Sequence, residues 1–244
     1  MTAAFAALYI ILVQVHYDLT YNRAIPDSER VYLMTLPSLG GSGLKQQSFL
    51  ARPVAEMGLA DNPYVETYGV AALDDVNKVN VIVGEGTEAK THSVTFAQMT
   101  SGALKTFGIQ AVMGSFEGIG EGGYVAISET AAERLGVAVD SILQLESWGR
   151  TNYFVVRAIY KDLPVASDLK NIEVIRCNQL EEQDLTSTSN WSYNYYVKLR
   201  STDYKALCEE VISKKYAELM AQELKRYRGM QHSDPSFYKQ LDKL

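Results

Sequence analysis

Residues 124–136 read YVAISETAAERLG, and the two halves of this stretch require different backbones. Residues 124–127 have the composition of a strand. Ser128 stands where a helix needs its N-cap, and Glu129 puts negative charge in the first turn, where the helix dipole favours it. Working outward on the N-terminal side, a glycine-rich loop (115–123) follows residues 94–114, which hold a short helix around 101–107. Further back, residues 78–83 and 64–73 read as strands separated by Asp74 and Asp75. Residues 46–57 carry Phe49, Leu50, Val54 and Met57 at helical spacing and end at Gly58, a C-cap signal. A Gly/Ser loop (39–43) separates them from a strand at 30–36 that Pro37 closes. On the C-terminal side, residues 141–146, 152–160 and 193–199 read as strands, and 202–228 as a long helix with charged outer positions. Strands and helices alternate irregularly, which indicates an α+β fold with antiparallel or mixed sheets.

The N-terminus is a separate problem. Residues 3–15 (AAFAALYIILVQV) are an apolar run that passes at once into polar, tyrosine-rich residues 17–32. The run falls short of the ~20 residues that span a bilayer, so it reads as the outer end of a transmembrane helix. A cleaved signal peptide would need a basic leader and a small-residue cleavage site, and neither is present. The other reading is a buried helix of the domain core.

Composition bounds the function. The chain has 244 residues, 47% apolar and 21% charged, enough for one large domain or two small ones. A net charge of −6 without a Lys/Arg stripe argues against a nucleic-acid surface. Cys177 and Cys208 have no metal or redox spacing; a single disulfide and two buried thiols explain them equally well. His16, His92 and His232 stand far apart, and Glu181 and Glu182, like Asp74 and Asp75, read as solvated turns. Residues 118–123 fit G-x-G-x-x-G, but they lead into a strand where a dinucleotide fingerprint must open a helix, and Glu117 and Glu121 would repel a pyrophosphate. No P-loop pattern occurs, so the chain has no such route to ATP hydrolysis.

Five segments, in order, carry a resemblance. They are residues 17–32, with Glu29-Arg30-Val31-Tyr32; Asn62-Pro63-Tyr64-Val65-Glu66; residues 102–107 with Gly114; residues 125–136; and residues 154–164, FVVRAIYKDLP. Their sequence and order resemble the extracytoplasmic domain of MacB-like and FtsX-like ABC transporter permeases. Arg157 departs from the pattern, standing where the family has a glycine. The resemblance implies an α+β, MacB-like periplasmic domain with a porter-like β-α-β subdomain and an inserted smaller mixed α/β subdomain. Residues 1–27 would be the end of the first transmembrane helix and its junction, 28–89 plus 173–244 the porter-like part, and 90–172 the insert. It further implies a domain of the bacterial inner membrane facing the periplasm, with no active site, cofactor or metal. The partners it implies are an ABC ATPase subunit or domain, a second permease copy, and an outer-membrane or periplasmic protein. Residues 15–23 would be the lever between membrane and body.

Two groups of residues are candidates for partner contact. Phe116 and Ile119 lie in the 115–123 loop, the most glycine-rich backbone of the chain, which is either an idle surface loop or a contact tip. Trp191, Tyr193 and Tyr195, with Tyr196, crowd one strand, where aromatic residues serve sheet packing or an interface. A periplasmic binding or interaction module is the alternative function. An enzyme is disfavoured because no nucleophile, base and orienter can be assembled from the spacing.

Overall fold

In this computed structural model, residues 2–37, 46–84, 89–147, 150–177 and 185–228 are described. In chain order the helices are α1 (Thr2–Thr20), α2 (Arg52–Leu59), α3 (Ser101–Thr106), α4 (Glu129–Leu135) and α5 (Lys205–Arg228). The strands are β1 (Val31–Leu33), β2 (Leu36–Pro37), β3 (Gln46–Gln47), β4 (Phe49–Ala51), β5 (Val65–Val70), β6 (Asn77–Val83), β7 (Lys90–Met99), β8 (Ala111–Gly114), β9 (Tyr124–Ser128), β10 (Ile142–Ser147), β11 (Arg150–Tyr160), β12 (Val174–Cys177) and β13 (Trp191–Leu199). The fold is α+β with mixed sheets. The expected loop at 39–43, Glu181, Glu182 and His232 lie outside the described residues.

Residues 124–136 fold as their chemistry requires. β9 ends at Ser128, whose hydroxyl accepts a hydrogen bond from the Ala131 N–H and so caps α4. Gly136 closes the helix at φ 66°, in the left-handed region that glycine enters at least cost. β9 pairs with β11 in parallel at one edge and with β12 in antiparallel at the other, and side-chain clusters bury both its faces, Val125 and Ile127 in one and Ala126 in the other.

From that pair a ring closes. β9 pairs β11, β11 pairs β10, β10 pairs β6, β6 pairs β7, β7 pairs β12, and β12 returns to β9. β8 hangs on the outer half of β11. Side-chain alternation explains why the ring holds together. Val81, Val94, Val125, Ile127, Leu143, Leu145, Val156 and Val174 form one buried cluster, into which α4 adds Ala131, Ala132 and Leu135. The alternate residues Ala97, Met99, Ala126, Ala158, Ile175 and Cys177 form a second cluster, with α3 and Ile25. A small closed sheet has no free edges, and its interior is filled by side chains.

A four-stranded sheet stands beside the ring, built around β13, which pairs β1, β4 and β5. Tyr195, Val197 and Leu199 face α2 and α5, whose Val54, Ala55, Leu59 and Cys208 complete a third cluster. On the opposite face Tyr196 packs on Phe107, ring centroids 4.9 Å apart. The seam between the two sheets is tight. Thr100 N–H donates to the Val70 carbonyl at 2.8 Å and Ala72 N–H to that of Gln98 at 2.9 Å. A Cβ on Gly102 would lie 2.2 Å from the Tyr68 carbonyl oxygen, and one on Gly69 would lie 2.1 Å from the Ala103 nitrogen. Glycine is required there because backbone meets backbone.

Two expectations change. Residues 46–57 are not one helix, because residues 49–51 form β4, which pairs with β13 and buries Leu50 and Ala51 completely. The helix starts only at Arg52, where Pro53 fits the first turn, its missing N–H being no loss there. Gly58 is not a C-cap either; it is buried inside α2 with a would-be Cβ 3.3 Å from Ile212 of α5, so its smallness serves helix packing. β12 went unread, since only four residues, crossed by Arg176, form it. Strand pairing places β6 and β12 in the ring. Both cysteines are buried free thiols, and burial pushes that of Cys177 up to about 12.

Candidate functional site: the base of the N-terminal helix

α1 runs through the apolar stretch and on into polar residues as far as Thr20. Its described apolar side chains are exposed: Tyr9 69%, Ile10 66% and Leu12 58%. The body does not cover this segment, which sets aside the reading of 3–15 as a core helix for those residues. Among the described residues no helix is long and apolar enough to cross a membrane.

The helix is nonetheless fastened at its base. Thr20 turns the chain, and Asn22 takes φ 62°, which asparagine tolerates because its amide can bond locally. Asn22 N–H donates to the Ala166 carbonyl at 2.8 Å, its Nδ2 donates to Asp168 Oδ2 at 2.8 Å, and its Oδ1 accepts from the Asp168 N–H at 2.9 Å. The Tyr21 hydroxyl donates to Asp168 Oδ1 at 3.0 Å, and burial together with that carboxylate raises its pKa. Asp168 belongs to the connection between β11 and β12, so the helix is clipped to the ring. Ile25, three residues on, sinks into the cluster outside the ring.

A charge network follows. Arg30 reaches Asp27 at 2.7 Å and Glu66 at 2.5 Å, and Lys198 of β13 reaches Asp27 at 2.7 Å. Hydrogen bonds from Lys198 and Arg30 hold the Asp27 carboxyl below its ordinary value, and Glu66 and Asp27 raise the Arg30 pKa. Residues 20–30 therefore touch both bodies: Asn22 the ring, Asp27 and Arg30 the small sheet.

The residues proposed for partner contact stand differently. Ile119 is fully buried in the cluster outside the ring, and Phe116 is half-buried against it, so Ile119 is an anchor and not a contact tip. Its loop is further held by Arg157, whose Nε donates to the Glu117 carbonyl at 3.2 Å and whose guanidinium stacks 5.3 Å from the Tyr124 ring centre. Arg157 sits at a β-bulge of β11, which is how a long side chain fits where the family pattern has glycine. Trp191, Tyr193 and Tyr195 share the face of β13 that packs against α2 and α5. Tyr195 is 1% exposed, donates its hydroxyl to Glu56 at 3.0 Å, and is removed from any contact patch; Trp191 and Tyr193 are half-buried. Among the described residues no group of three or more His, Cys, Asp or Glu could hold a metal ion.

Asp168 escaped the sequence reading because its partner Asn22 lies 146 residues away. The only local signal was an asparagine just past a helix end.

No family model matches the sequence, and no curated protein matches it. Among solved structures, the chain is similar to a domain assigned to a permease protein from Porphyromonas gingivalis, with TM-score 0.55 and 18% identity over 70% of this chain and 76% of that one. It is also similar to the extracellular domain of the noncanonic ABC-type transporter YknZ from Gram-positive bacteria, with TM-score 0.44 and 17% identity over 72% of this chain and 86% of that one. The first likeness establishes that this α+β arrangement is a fold shared with that permease domain.

Proposed function

We propose that the chain is the extracytoplasmic domain of an ABC transporter permease, non-catalytic in itself, which couples ATP-driven motion of the membrane part to export or release of a substrate. The observation that carries the reading is α1, a helix whose exposed apolar side chains the body leaves uncovered while its base is clipped to the ring by Asn22 and Asp168. Exposed apolar surface of this kind marks a membrane or protein contact. The fold shared with a permease domain supports the same reading.

In this reading the porter-like part is the sheet around β13 with α2 and α5, and the insert is the ring, residues 71–177. Movement of α1 is handed to the ring through Asp168 and to the small sheet through Asp27 and Arg30. Coupling needs two states that the nucleotide biases differently. An ATPase subunit or domain, a second permease copy and a periplasmic or outer-membrane partner complete the machine, at the inner membrane and facing the periplasm.

The test is purification from the native membrane in mild detergent. The chain should fractionate with the membrane and with a P-loop ATPase whose hydrolysis is vanadate-sensitive, and Asp168→Ala should uncouple hydrolysis from transport without halting hydrolysis. Recovery of the chain from the aqueous fraction without an ATPase would overturn the proposal.

A further inference from the structure

The connection between β11 and β12 leaves the ring at the end where the base of α1 is clipped to it. Its Val165, 74% exposed, is the most exposed large apolar side chain among the described residues. The loop around it is nonetheless tightly held: Leu163 and Leu169 turn into the cluster outside the ring, and the Ser167 hydroxyl donates to the Pro164 carbonyl at 2.6 Å and accepts from the Leu169 N–H at 3.2 Å. The turn thus presents Val165 outward. A single exposed valine is ordinary on a protein surface, so its position has to decide. Asn22 N–H donates to the carbonyl of Ala166, the next residue, which holds Val165 beside the point where α1 leaves the body. β8 begins at the same end, since the Gln110 carbonyl just before it accepts the Lys161 N–H, and its Val112 and Met113 are exposed as well.

What covers this end follows from α1. The apolar run stops at Val15, but Leu19, 61% exposed, carries apolar surface one turn further, to within about 5 Å of the level of Asn22 along the axis. The polar layer on each side of a bilayer's hydrocarbon is itself about 5–8 Å deep. With α1 in the membrane, the level at which Asn22 holds the loop therefore falls inside that layer, where the rings of Tyr17 and Tyr21, 5.7 Å apart, are also favoured. The charges agree. Arg23, Lys161 and Lys170 are exposed and make no ion pair among the described residues, whereas the carboxylates of Asp18, Asp162 and Asp168 are bonded by Gln14, by Thr130, and by Tyr21 and Asn22. Free cations beside an apolar tip fit lipid phosphates and the acyl boundary beneath them. We infer that the β11–β12 connection, with Val165 at its tip, rests in the headgroup layer of the bilayer beside α1. This rests on the reading of α1 as a membrane helix, and it adds a second attachment that holds the ring against the membrane surface.

The test puts an environment-sensitive fluorophore on an introduced cysteine of the full chain in nanodiscs of phosphatidylcholine and phosphatidylglycerol. The native thiols stay silent, since Cys177 and Cys208 are buried and burial raises the pKa of each. Reporter sites are Leu12→Cys on α1, Val165→Cys on the loop, Met113→Cys on β8 and Tyr153→Cys towards the far end of β11, all at exposed positions. Lipid bearing a nitroxide deep in its chain should quench the probe at 12. Lipid bearing one at the headgroup should quench the probes at 165 and 113 and spare the probe at 153. The reporter at 113 leaves Val165 in place, so adding Val165→Asp should cut its quenching by about twofold or more, as a charge brought to the apolar boundary predicts, with an unchanged thermal transition. Quenching at 12 without quenching at 165 or at 113 overturns the inference and leaves the membrane reading of α1 standing. No quenching at 12 overturns both. Equal quenching at 165 and 153, which would mean non-specific adsorption, overturns the inference, as does quenching at 113 that Val165→Asp leaves unchanged.

Discussion

The ring and the small sheet are built from similar residues, yet they solve the edge problem in opposite ways. In the ring each of six strands has a partner on both sides, so no backbone edge is left open, and both faces of β9 and β12 are covered. In the small sheet β13 runs through the middle while β1 and β4 are short flanking strands of three residues each, and α2 and α5 cover one face. The closed body suits a rigid element. The open one carries the long helix α5, of 24 residues, whose Ile212, Tyr216 and Leu219 pack against its cluster. The difference teaches that closure and helix cover are two ways of leaving no long strand edge open.

The sharpest way to break this comparison is to truncate a covered side chain of the ring and an uncovered one on the flanking strand of the small sheet. Ile127→Ala, in the ring where the side chain is fully buried, should cost about 2–5 kcal/mol and lower Tm by roughly 10 °C. Leu33→Ala on the flanking strand β1, 42% exposed, should stay within about 0.5 kcal/mol. Equal losses in thermal unfolding would erase the distinction. Ile119→Ser belongs with the first class, since its side chain is fully buried, and a shift of only a degree or two would restore the contact-tip reading of the 115–123 loop.

The seam comes next. Gly102→Ala must push its new Cβ out of the Tyr68 carbonyl, which is backbone and cannot swing aside, and should cost about 1–3 kcal/mol. If the seam is what locks the bodies together, hydrogen exchange in that variant should quicken at β5 and the start of α3 while β9 and β12 keep their protection. Uniform quickening would show the two bodies to be one cooperative unit.

The clip at Asp168 is smaller. Asp168→Ala deletes two exposed side-chain hydrogen bonds, to Tyr21 and Asn22, and should cost about 1 kcal/mol of stability in chemical denaturation. Proteolysis near residues 20–23 should rise at the same time, because the base of α1 loses its hold. Unchanged cleavage would mean that Asn22 N–H on Ala166 suffices.

The smallest effect is on pH. A carboxylate held below its ordinary pKa in the fold contributes stability at pH values above that ordinary value and loses it as the pH falls through the folded pKa. For Asp27, paired with Lys198 and Arg30, and for Asp162, bonded by Thr130, the ordinary value is 3.8 and the shift is downward. Tm should therefore be flat near neutrality and fall below about pH 4. Asp27→Asn should flatten part of that fall; an unaltered acid slope would show that the network at the base of α1 contributes nothing.

Local chemistry determined much of this molecule. Ser128 and Glu129 announce α4, Asp74 and Asp75 separate β5 from β6, the strand at 193–199 is legible in its aromatic residues, and the collinear segments from 17 to 164 point to the fold shared with a permease domain. Each of these signals lies within a few residues, where spacing and capping act. Tertiary structure decided the rest. It drew Phe49–Ala51 out of a helical pattern into a strand, because pairing with β13 and burial of Leu50 outweigh a helical spacing of apolar residues. It spent Gly58 on contact with Ile212, buried Ile119, and decided that Tyr195 meets the α2 and α5 cluster while Tyr196 meets Phe107. It closed the ring through β12, too short to stand out, and joined Asn22 to Asp168 and Asn194 to Asp74 across 146 and 120 residues. Such contacts follow from how sheets close and which faces meet, and no local spacing carries that information.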